Sequence, residues 1–324
     1  DGMSLDSQYK QKFFSENITN KSIFSSVFVI MLITSNDQIV YFNDNPNSPF
    51  NCCPIKISYQ KETPDLIKSE MSYIHSEFSN PIETKLSGKN IKIEVEAFGT
   101  MLDGKAISAV EEISSSQVCN VCNMGPKNAS KIHPKNVKPV EMEKLNNGMA
   151  ILHCWIRAFE FILHLSYRLE FKSWRVSRDK DKISYREKKK NIQDLYHSTK
   201  GLLIDRPKQD GSGNTNDGNT ARRFFDDIAF ASEVTGVDFN LIKKLSILVR
   251  ALNSGKKINT LVCEKISSDF YDIYTLKYSW FYLPPTIHKI ICHGIQLINN
   301  FDLLILIHRR CRKIFLIRFL FVVR

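Results

Sequence analysis

The apolar pattern of this chain changes once, near Gly148, from a strand-like to a helix-like spacing. Apolar runs and period-two alternation predict three β-strands before that residue. These strands span residues 22–34, 37–42 and 91–98. Between the last two strands, Thr63 as N-cap and Pro64 at the first helical position predict a helix that ends at residue 78. A helix inserted between strands predicts a mixed α/β layer in this region of the chain.

From Gly148 onward, apolar residues at helical spacing predict three long helices. They span residues 149–171, 238–255 and 285–298. Two polar segments lie between them. The charge run at 175–191 is typical of a solvated helix or loop, with contact to DNA as the alternative. The Gly/Asn-rich segment at 206–223 lacks the residue order of a nucleotide-binding loop, so we expect a loop that leads into a helix capped near Asn219.

Length and cysteine content restrict the class of protein. A chain of 324 residues that is 43% hydrophobic can bury a substantial core, as one large domain or as two packed ones. Eight cysteines are too few for disulfide bonds to stabilise a chain of this length, and no secretory signal precedes them. We therefore expect a reducing compartment, in which Cys119 and Cys122 act as metal or redox residues.

Charge is divided unevenly along the chain. Residues 1–118 contain 10 lysines, no arginine and 15 acidic residues, whereas the remainder contains 35 lysines and arginines and 19 acidic residues. Residues 1–118 thus carry a net charge of −5, and the remainder carries a net charge of +16. This division favours a protein that binds a polyanion through the basic region and divalent cations through clustered carboxylates. A basic, solvated surface without a partner is the alternative.

Two pairs of metal-ligand residues lie far apart in the sequence. Cys119 and Cys122 are separated by two residues, and His288 and His293 by four. Together they would form a Cys2His2 zinc site that joins the end of the strand-rich region to a helix about half the chain away. Spacing alone leaves other interpretations open, because a single CxxC pair can be redox-active or accidental and helical histidines are often core residues. We expect the adjacent Cys292 to face the core as an apolar residue.

Seven motifs occur in an order that resembles the catalytic core of the V(D)J recombinase and its Transib-type transposase relatives. They are "DGM", "NPNSPFNCCPIKIS", "FGTMLDGK", "VCNVC", "LHCWIRAFEF", "GNTARRFF" and "IHKIICH". The likeness runs from residue 1 to about residue 300. It implies a ribonuclease-H-like mixed sheet at 1–118 and a large helical, zinc-binding region at 119–300, followed by an aberrant basic and apolar tail at 301–324.

The resemblance also implies site residues, cofactors and partners. In that family two Asp and one Glu hold two Mg²⁺ or Mn²⁺ ions about 3.5 to 4 Å apart for DNA nicking and strand transfer. The first two acids match Asp1 and Asp103, although Asp103 alone would be an ordinary turn residue before Gly104. The family's zinc ligands match Cys119, Cys122, His288 and His293. The implied partner is DNA and the implied location is the nucleus, with a homodimer and an accessory recombinase subunit as further expectations.

Three features depart from the family pattern. Nothing precedes Asp1, so we expect the first strand to be truncated and its metal site to be poorly supported. The family's Glu would lie near Lys313, but the only acid after His293 is Asp302. We interpret the tail as an altered reading frame or a gene-prediction artefact.

A membrane role for the tail is the rival interpretation. Its basic cluster at 309–313 leaves apolar pieces shorter than the roughly 20 residues that span a bilayer, although association with a membrane surface stays open. No other segment favours a membrane protein.

Three functions follow from these observations. The favoured one is a catalytically impaired recombinase-like fragment that retains zinc and DNA binding. An active transposase or recombinase would need all three acids. A zinc-stabilised interaction protein with no nucleic-acid role is the third.

Overall fold

The computed structural model divides the chain into two compact units. It describes residues 3–4, 22–35, 38–43, 49–60, 63–86, 88–98, 104–113, 115, 117–145, 149–208, 213–254, 258–300 and 314–323. The first unit comprises residues 1–116, 141–150 and 307–324, and the second comprises residues 117–140 and 151–306. The first boundary lies two residues before the predicted one, and the segment 307–324 belongs to the first unit instead of forming a region of its own.

The first unit is built around a mixed sheet of seven strands. The strands are β1 Met3–Ser4, β2 Ser22–Ser35, β3 Gln38–Phe42, β4 Cys52–Tyr59, β5 Ile82–Leu86, β6 Lys89–Phe98 and β7 Ile314–Val323. The main path through the sheet runs β1-β2-β7-β6-β5, and β3 and β4 also pair with β2. Strand β2 is antiparallel to β1, β3 and β4 but parallel to β7. The mixed α/β prediction is confirmed, whereas the finer ribonuclease-H-like assignment stays a prediction.

Twelve helices are present in the described residues. They are α1 Pro64–Phe78, α2 Gly104–Val110, α3 Pro126–Ala129, α4 Met142–Leu145, α5 Ile151–Ser166, α6 Asp179–Lys200, α7 Gly218–Asp226, α8 Ile228–Thr235, α9 Phe239–Leu252, α10 Thr260–Tyr278, α11 Pro285–His288 and α12 Gly294–Asn300. Short 3-10 turns occupy Pro49–Asn51 and Pro134–Asn136, and a π-helical turn occupies Lys289–His293. Of the helices that the structure describes, none has the length and apolar content needed to cross a bilayer.

Helix α1 covers one side of the sheet in the first unit. The Thr63 hydroxyl caps it by accepting a hydrogen bond from the Leu66 amide at 3.2 Å, as the sequence predicts. Its buried face contributes to a cluster with β2 and α2, consisting of Phe24, Ile67, Met71, Ile74 and Ile107. The helix also buries Glu70, whose carboxylate pairs with Lys56 of β4. The predicted strands at 22–34, 37–42 and 91–98 are confirmed as β2, β3 and β6.

The described part of the tail is a strand, β7 Ile314–Val323. Strand β7 pairs with β2 on one side and with β6 on the other. Its Ile, Phe, Leu and Val residues favour a strand because these side chains fit the pleated surface of a sheet. The acid at position 302 lies outside the described residues.

The second unit is helical, and its core is rich in aromatic residues. Phe159 of α5 contacts Phe224 of α7 with ring centroids 4.8 Å apart, and Tyr196 of α6 stacks on the same Phe224 at 5.4 Å. Phe161 of α5 lies 6.4 Å from Phe270 of α10. All five rings are nearly inaccessible to solvent. Helix α5 therefore lies at the centre of the unit, where its buried rings contact other helices on more than one side.

Several helix boundaries differ from the sequence prediction, and the predicted helix at 238–255, for example, is α9 and ends at Leu252. Helix α5 ends at Ser166 and not at residue 171, because the following backbone bonds tighten to i→i+3, with the Arg168 amide donating to the Leu165 carbonyl at 3.1 Å and the Leu169 amide donating to the Ser166 carbonyl at 3.3 Å. Helix α7 follows a loop, as predicted, and its cap is Asp217, two residues before Asn219. The Asp217 carboxylate accepts a hydrogen bond from the Thr220 amide at 2.7 Å, so Asn219 falls within the first helical turn.

We predict that two leucine substitutions in the second unit will differ sharply in their effect. Leu245→Ala should lower the free energy of unfolding by about 2 to 5 kcal/mol, because Leu245 is fully buried in α9 and its loss leaves a cavity. The matched control, Leu276→Ala on α10, removes the same atoms from a side chain that is 82% exposed and should change stability by less than about 0.5 kcal/mol. Urea unfolding measures both, and equal effects would contradict the packing described here.

Candidate metal centre

Four thiol and imidazole side chains of the second unit come together. Each of Cys119, Cys122, His288 and His293 offers one ligand atom, and these atoms all lie within 4.8 Å of one another. The Sγ atom of Cys122 lies 3.3 Å from Nε2 of His288. The predicted convergence is therefore present, and the cluster is the only group of at least three His, Cys, Asp or Glu residues with such spacing among the residues that the structure describes.

A tight turn presents the two cysteines to the same side. The Asn123 amide donates to the Cys119 carbonyl at 2.8 Å, and the Cys119 amide donates to the Met124 carbonyl at 2.9 Å. Asn123 completes the turn with a φ of 57°, in the left-handed region that Asn tolerates better than most residues. The backbone thus reverses direction directly after Cys122.

A π-helical turn brings the two histidines together. Residues five apart on an α-helix point about 140° away from each other, because each residue adds roughly 100°. In the turn Lys289–His293 the hydrogen bonds run from i to i+5, which places His288 and His293 one above the other. Their ring centroids are 5.3 Å apart, with an angle of 80° between the ring planes. The sequence prediction missed this turn, although a five-residue histidine spacing that no single α-helical face can present was its signal.

Helix α10 and the segment before α11 bind Ser130, in the segment that follows the cysteine turn. The Tyr271 hydroxyl donates to the Ser130 carbonyl at 3.1 Å, and the Leu283 amide donates to the Ser130 hydroxyl at 2.8 Å. The same hydroxyl donates to the Pro126 carbonyl at 2.7 Å. Because Leu283 lies just before α11, this network links the cysteine segment to the chain that enters the histidine segment.

Burial and mutual contact set the protonation of the four ligands. The pKa of the Cys119 thiol is lowered, chiefly by a hydrogen bond from Cys122. The hydrogen bond between the thiols and burial raise the pKa of Cys122. Burial lowers the pKa of His288 to about 4, so its imidazole is neutral at pH 7. One thiolate and a neutral imidazole are already in the form that a metal requires, and a cation would displace the proton of the second thiol.

The donor set fits a metal ion. The buried His293 Nε2 has no hydrogen-bond partner among the described residues, which is unusual for a polar atom in a protein interior. Two thiolates and two imidazoles are typical of tetrahedral sites for metals such as zinc. Such a site has four protein ligands and no position for a substrate, as in structural zinc sites.

Cys292 lies beside the cluster but does not belong to it. Its side chain is buried, and burial raises the pKa of its thiol to about 12. A thiol that stays protonated and buried behaves as a small apolar residue, as the sequence predicts. Cys154 of α5 is likewise buried, with a pKa raised to about 12.

The predicted magnesium ligands are not among the residues that the structure describes. Asp1 and Asp103 are outside the described residues, as are Asp302 and the position of Lys313. Helix α2 begins at Gly104, directly after Asp103. The Mg²⁺ site therefore stays a prediction.

The fold and the site define a mixed α/β protein with a candidate Cys2His2 metal centre in its helical unit. Comparison with protein-family models and with curated proteins found no match to the chain.

We predict that the cluster binds one zinc ion and that Cys119→Ser abolishes this binding. The matched control, Cys292→Ser, removes a neighbouring buried thiol that is not a ligand and should retain one equivalent of zinc. Elemental analysis gives the zinc content, and thermal unfolding with and without a chelator gives the stabilisation, because metal binding to the folded state raises the melting temperature. Full zinc content in Cys119→Ser, or its loss in Cys292→Ser, would contradict the assignment of ligands.

Proposed function

We propose that this protein is a recombinase- or transposase-like DNA-binding protein, stabilised by zinc and impaired in catalysis. The observation that carries the proposal is the convergence of Cys119, Cys122, His288 and His293, because the resemblance to the V(D)J recombinase family assigns zinc to these four positions. The chain's motif order and its mixed α/β architecture are consistent with the same family. A ribonuclease-H-like sheet in the first unit is included in this proposal.

The zinc ion has a structural role in this proposal. It would join the cysteine turn near residue 120 to the helix around residue 290, and all four of its positions would be filled by protein atoms. No position is left for water or substrate, so the ion takes no part in the chemistry. Its contribution is to the stability of the helical unit on which the DNA-binding surface lies.

The proposed DNA contact uses the exposed cations of α6. Arg186 and Lys190 are exposed, four residues apart and therefore on the same face of the helix. Lys189 is different, since its ammonium group pairs with the buried carboxylate of Asp205 at 2.8 Å. Of the basic residues at 188–190, Lys189 is therefore the least suited to a phosphate contact.

We predict that replacing Arg186 and Lys190 together by Gln will weaken the salt dependence of DNA binding. A log-log plot of affinity against salt concentration should lose about 0.9 of its slope for each phosphate contact removed. Fluorescence anisotropy with a labelled duplex measures the slope. The control, Lys243→Gln with Lys265→Gln, removes two exposed charges elsewhere in the same unit and should leave the slope unchanged.

Two outcomes would revise this proposal. An equal effect of both double variants would contradict a specific contact through α6. If the wild-type protein binds zinc but has no affinity for DNA, the function is that of a zinc-stabilised interaction protein with no nucleic-acid role.

Impaired catalysis follows from the metal chemistry that the family uses. Two Mg²⁺ ions must be held by carboxylates at a fixed separation so that one activates the nucleophile and the other stabilises the leaving oxygen. Asp1 and Asp103 match two of the three acids, but no Glu stands near Lys313. Asp302, nine residues after His293, lies too early in the chain to match the family's third acid.

We predict that the protein does not nick supercoiled or hairpin-forming DNA in either Mg²⁺ or Mn²⁺. Loss of one charge-stabilising group costs about a hundredfold to a thousandfold in rate, and loss of a metal ligand should cost more. Gel analysis of the substrate checks this, with Asp103→Ala as the control. Cleavage by the wild-type chain that disappears in Asp103→Ala would show that another acid completes the site.

A further inference from the structure

Gln296 of α12 connects a predicted metal ligand to the backbone of a distant segment. Its Oε1 atom lies 3.3 Å from His293 Nδ1, and its Nε2 atom donates to the Lys138 carbonyl at 3.2 Å. Lys138 lies two residues after the 3-10 turn Pro134–Asn136, outside any helix. One carboxamide thus contacts both the cluster and the chain 158 positions away.

The chemistry of the carboxamide fixes the orientation of this contact. A backbone carbonyl accepts hydrogen bonds and cannot donate them, so the NH2 group of Gln296 must face Lys138. Its carbonyl oxygen therefore faces His293, and this oxygen can only accept. An imidazole that binds a metal is in its neutral form and carries one hydrogen, which must then lie on Nδ1, and this leaves the lone pair of His293 on Nε2. The tautomer follows from hydrogen-bond complementarity along the chain of contacts.

The two histidines of the cluster differ in this respect. His288 Nε2 contacts Cys122 Sγ, but His288 Nδ1 has no hydrogen-bond partner among the described residues. His293 has the opposite pattern, with Nδ1 engaged by Gln296 and the buried Nε2 without a partner among those residues. Of the two imidazoles, only that of His293 has a neighbouring side chain, among the described residues, that determines which ring nitrogen can bind a metal.

We propose that Gln296 is a positioning residue for the metal centre. The Oε1 atom of Gln296 holds His293 in the Nδ1–H tautomer so that Nε2 of His293 is available to the metal. The Nε2 atom of Gln296 links the site to the segment 137–140. Partners of this kind raise the basicity of a ligating imidazole and fix its ring, and their loss costs about 10- to 100-fold in metal affinity. The proposal rests on zinc binding by the cluster.

Two substitutions separate the two contacts of Gln296. Gln296→Leu removes both, so zinc affinity should fall by about 10- to 100-fold. Gln296→Glu retains an acceptor for His293 but cannot donate to the Lys138 carbonyl. It should therefore restore the zinc affinity that Gln296→Leu loses, while the segment 137–140 loses its hydrogen bond to residue 296. The matched control is Asn299→Leu, which replaces an exposed carboxamide on the same helix and should have no effect on zinc affinity.

Three measurements on the full chain test the proposal. Competition with a chromophoric chelator gives the zinc affinity, and the visible spectrum of the Co²⁺-substituted protein reports the ligand geometry. Hydrogen exchange at the Val137, Lys138 and Val140 amides reports the hydrogen bond from Gln296 to the Lys138 carbonyl. Exchange at these amides should be faster in both Gln296 variants. Circular dichroism without metal verifies that each variant is folded.

The outcomes distinguish this proposal from the function on which it rests. Wild-type affinity in Gln296→Leu, or failure of Gln296→Glu to restore affinity lost in Gln296→Leu, would overturn the positioning role while zinc binding stands. Unchanged exchange at 137–140 in both variants would overturn the coupling. A wild-type chain that binds no zinc would overturn both this proposal and the zinc-stabilised function.

Discussion

The second unit depends on the contact between the cysteine turn and the histidine segment. Cys122 and His288, which lie in contact there, are 166 positions apart in the sequence. Closing so long a stretch of chain costs conformational entropy, and burying ionisable groups at the closure adds a desolvation cost. The thiols show this cost, because one pKa falls while the other rises and the pair holds a proton between them. A divalent cation would remove the conflict by stabilising both thiolates at once, so that binding energy becomes folding energy.

The elements of the fold that were predicted from sequence have local causes. Helix α1 follows from the Thr63 cap and Pro64, and β2 from an uninterrupted apolar, β-branched run. Strands β4 and β5 were not predicted, since β4 contains Pro54 and β5 has only five residues. Strand β4 pairs with β2, which is distant in sequence, and β5 pairs with β6 across a short turn. The choice of Asp217 over Asn219 as a cap also depends on backbone geometry, because either side chain is suited to that position.

The site illustrates the same division between local and long-range information. The convergence of Cys119, Cys122, His288 and His293 could be predicted because their spacing and the resemblance drawn from the motifs indicate the same four residues. The contacts of Gln296 were missed, since one of them is to the Lys138 carbonyl, a backbone atom that no side-chain pattern marks. The engagement of Lys189 by buried Asp205 was missed for a related reason, because a run of charges does not reveal which of its members finds a partner.

The π-helical turn between the histidines has a consequence for how such sites are recognised. The π-helical turn accommodates one additional residue within a single turn. As a result, His288 and His293 lie on the same face of the helix, as two residues four apart do in a regular α-helix. A chain with one residue fewer at this point would present the same two imidazoles as an HxxxH pair. The two spacings are thus equivalent solutions to one geometric problem, and a search that accepts only one of them will divide a single kind of site into two apparently unrelated groups.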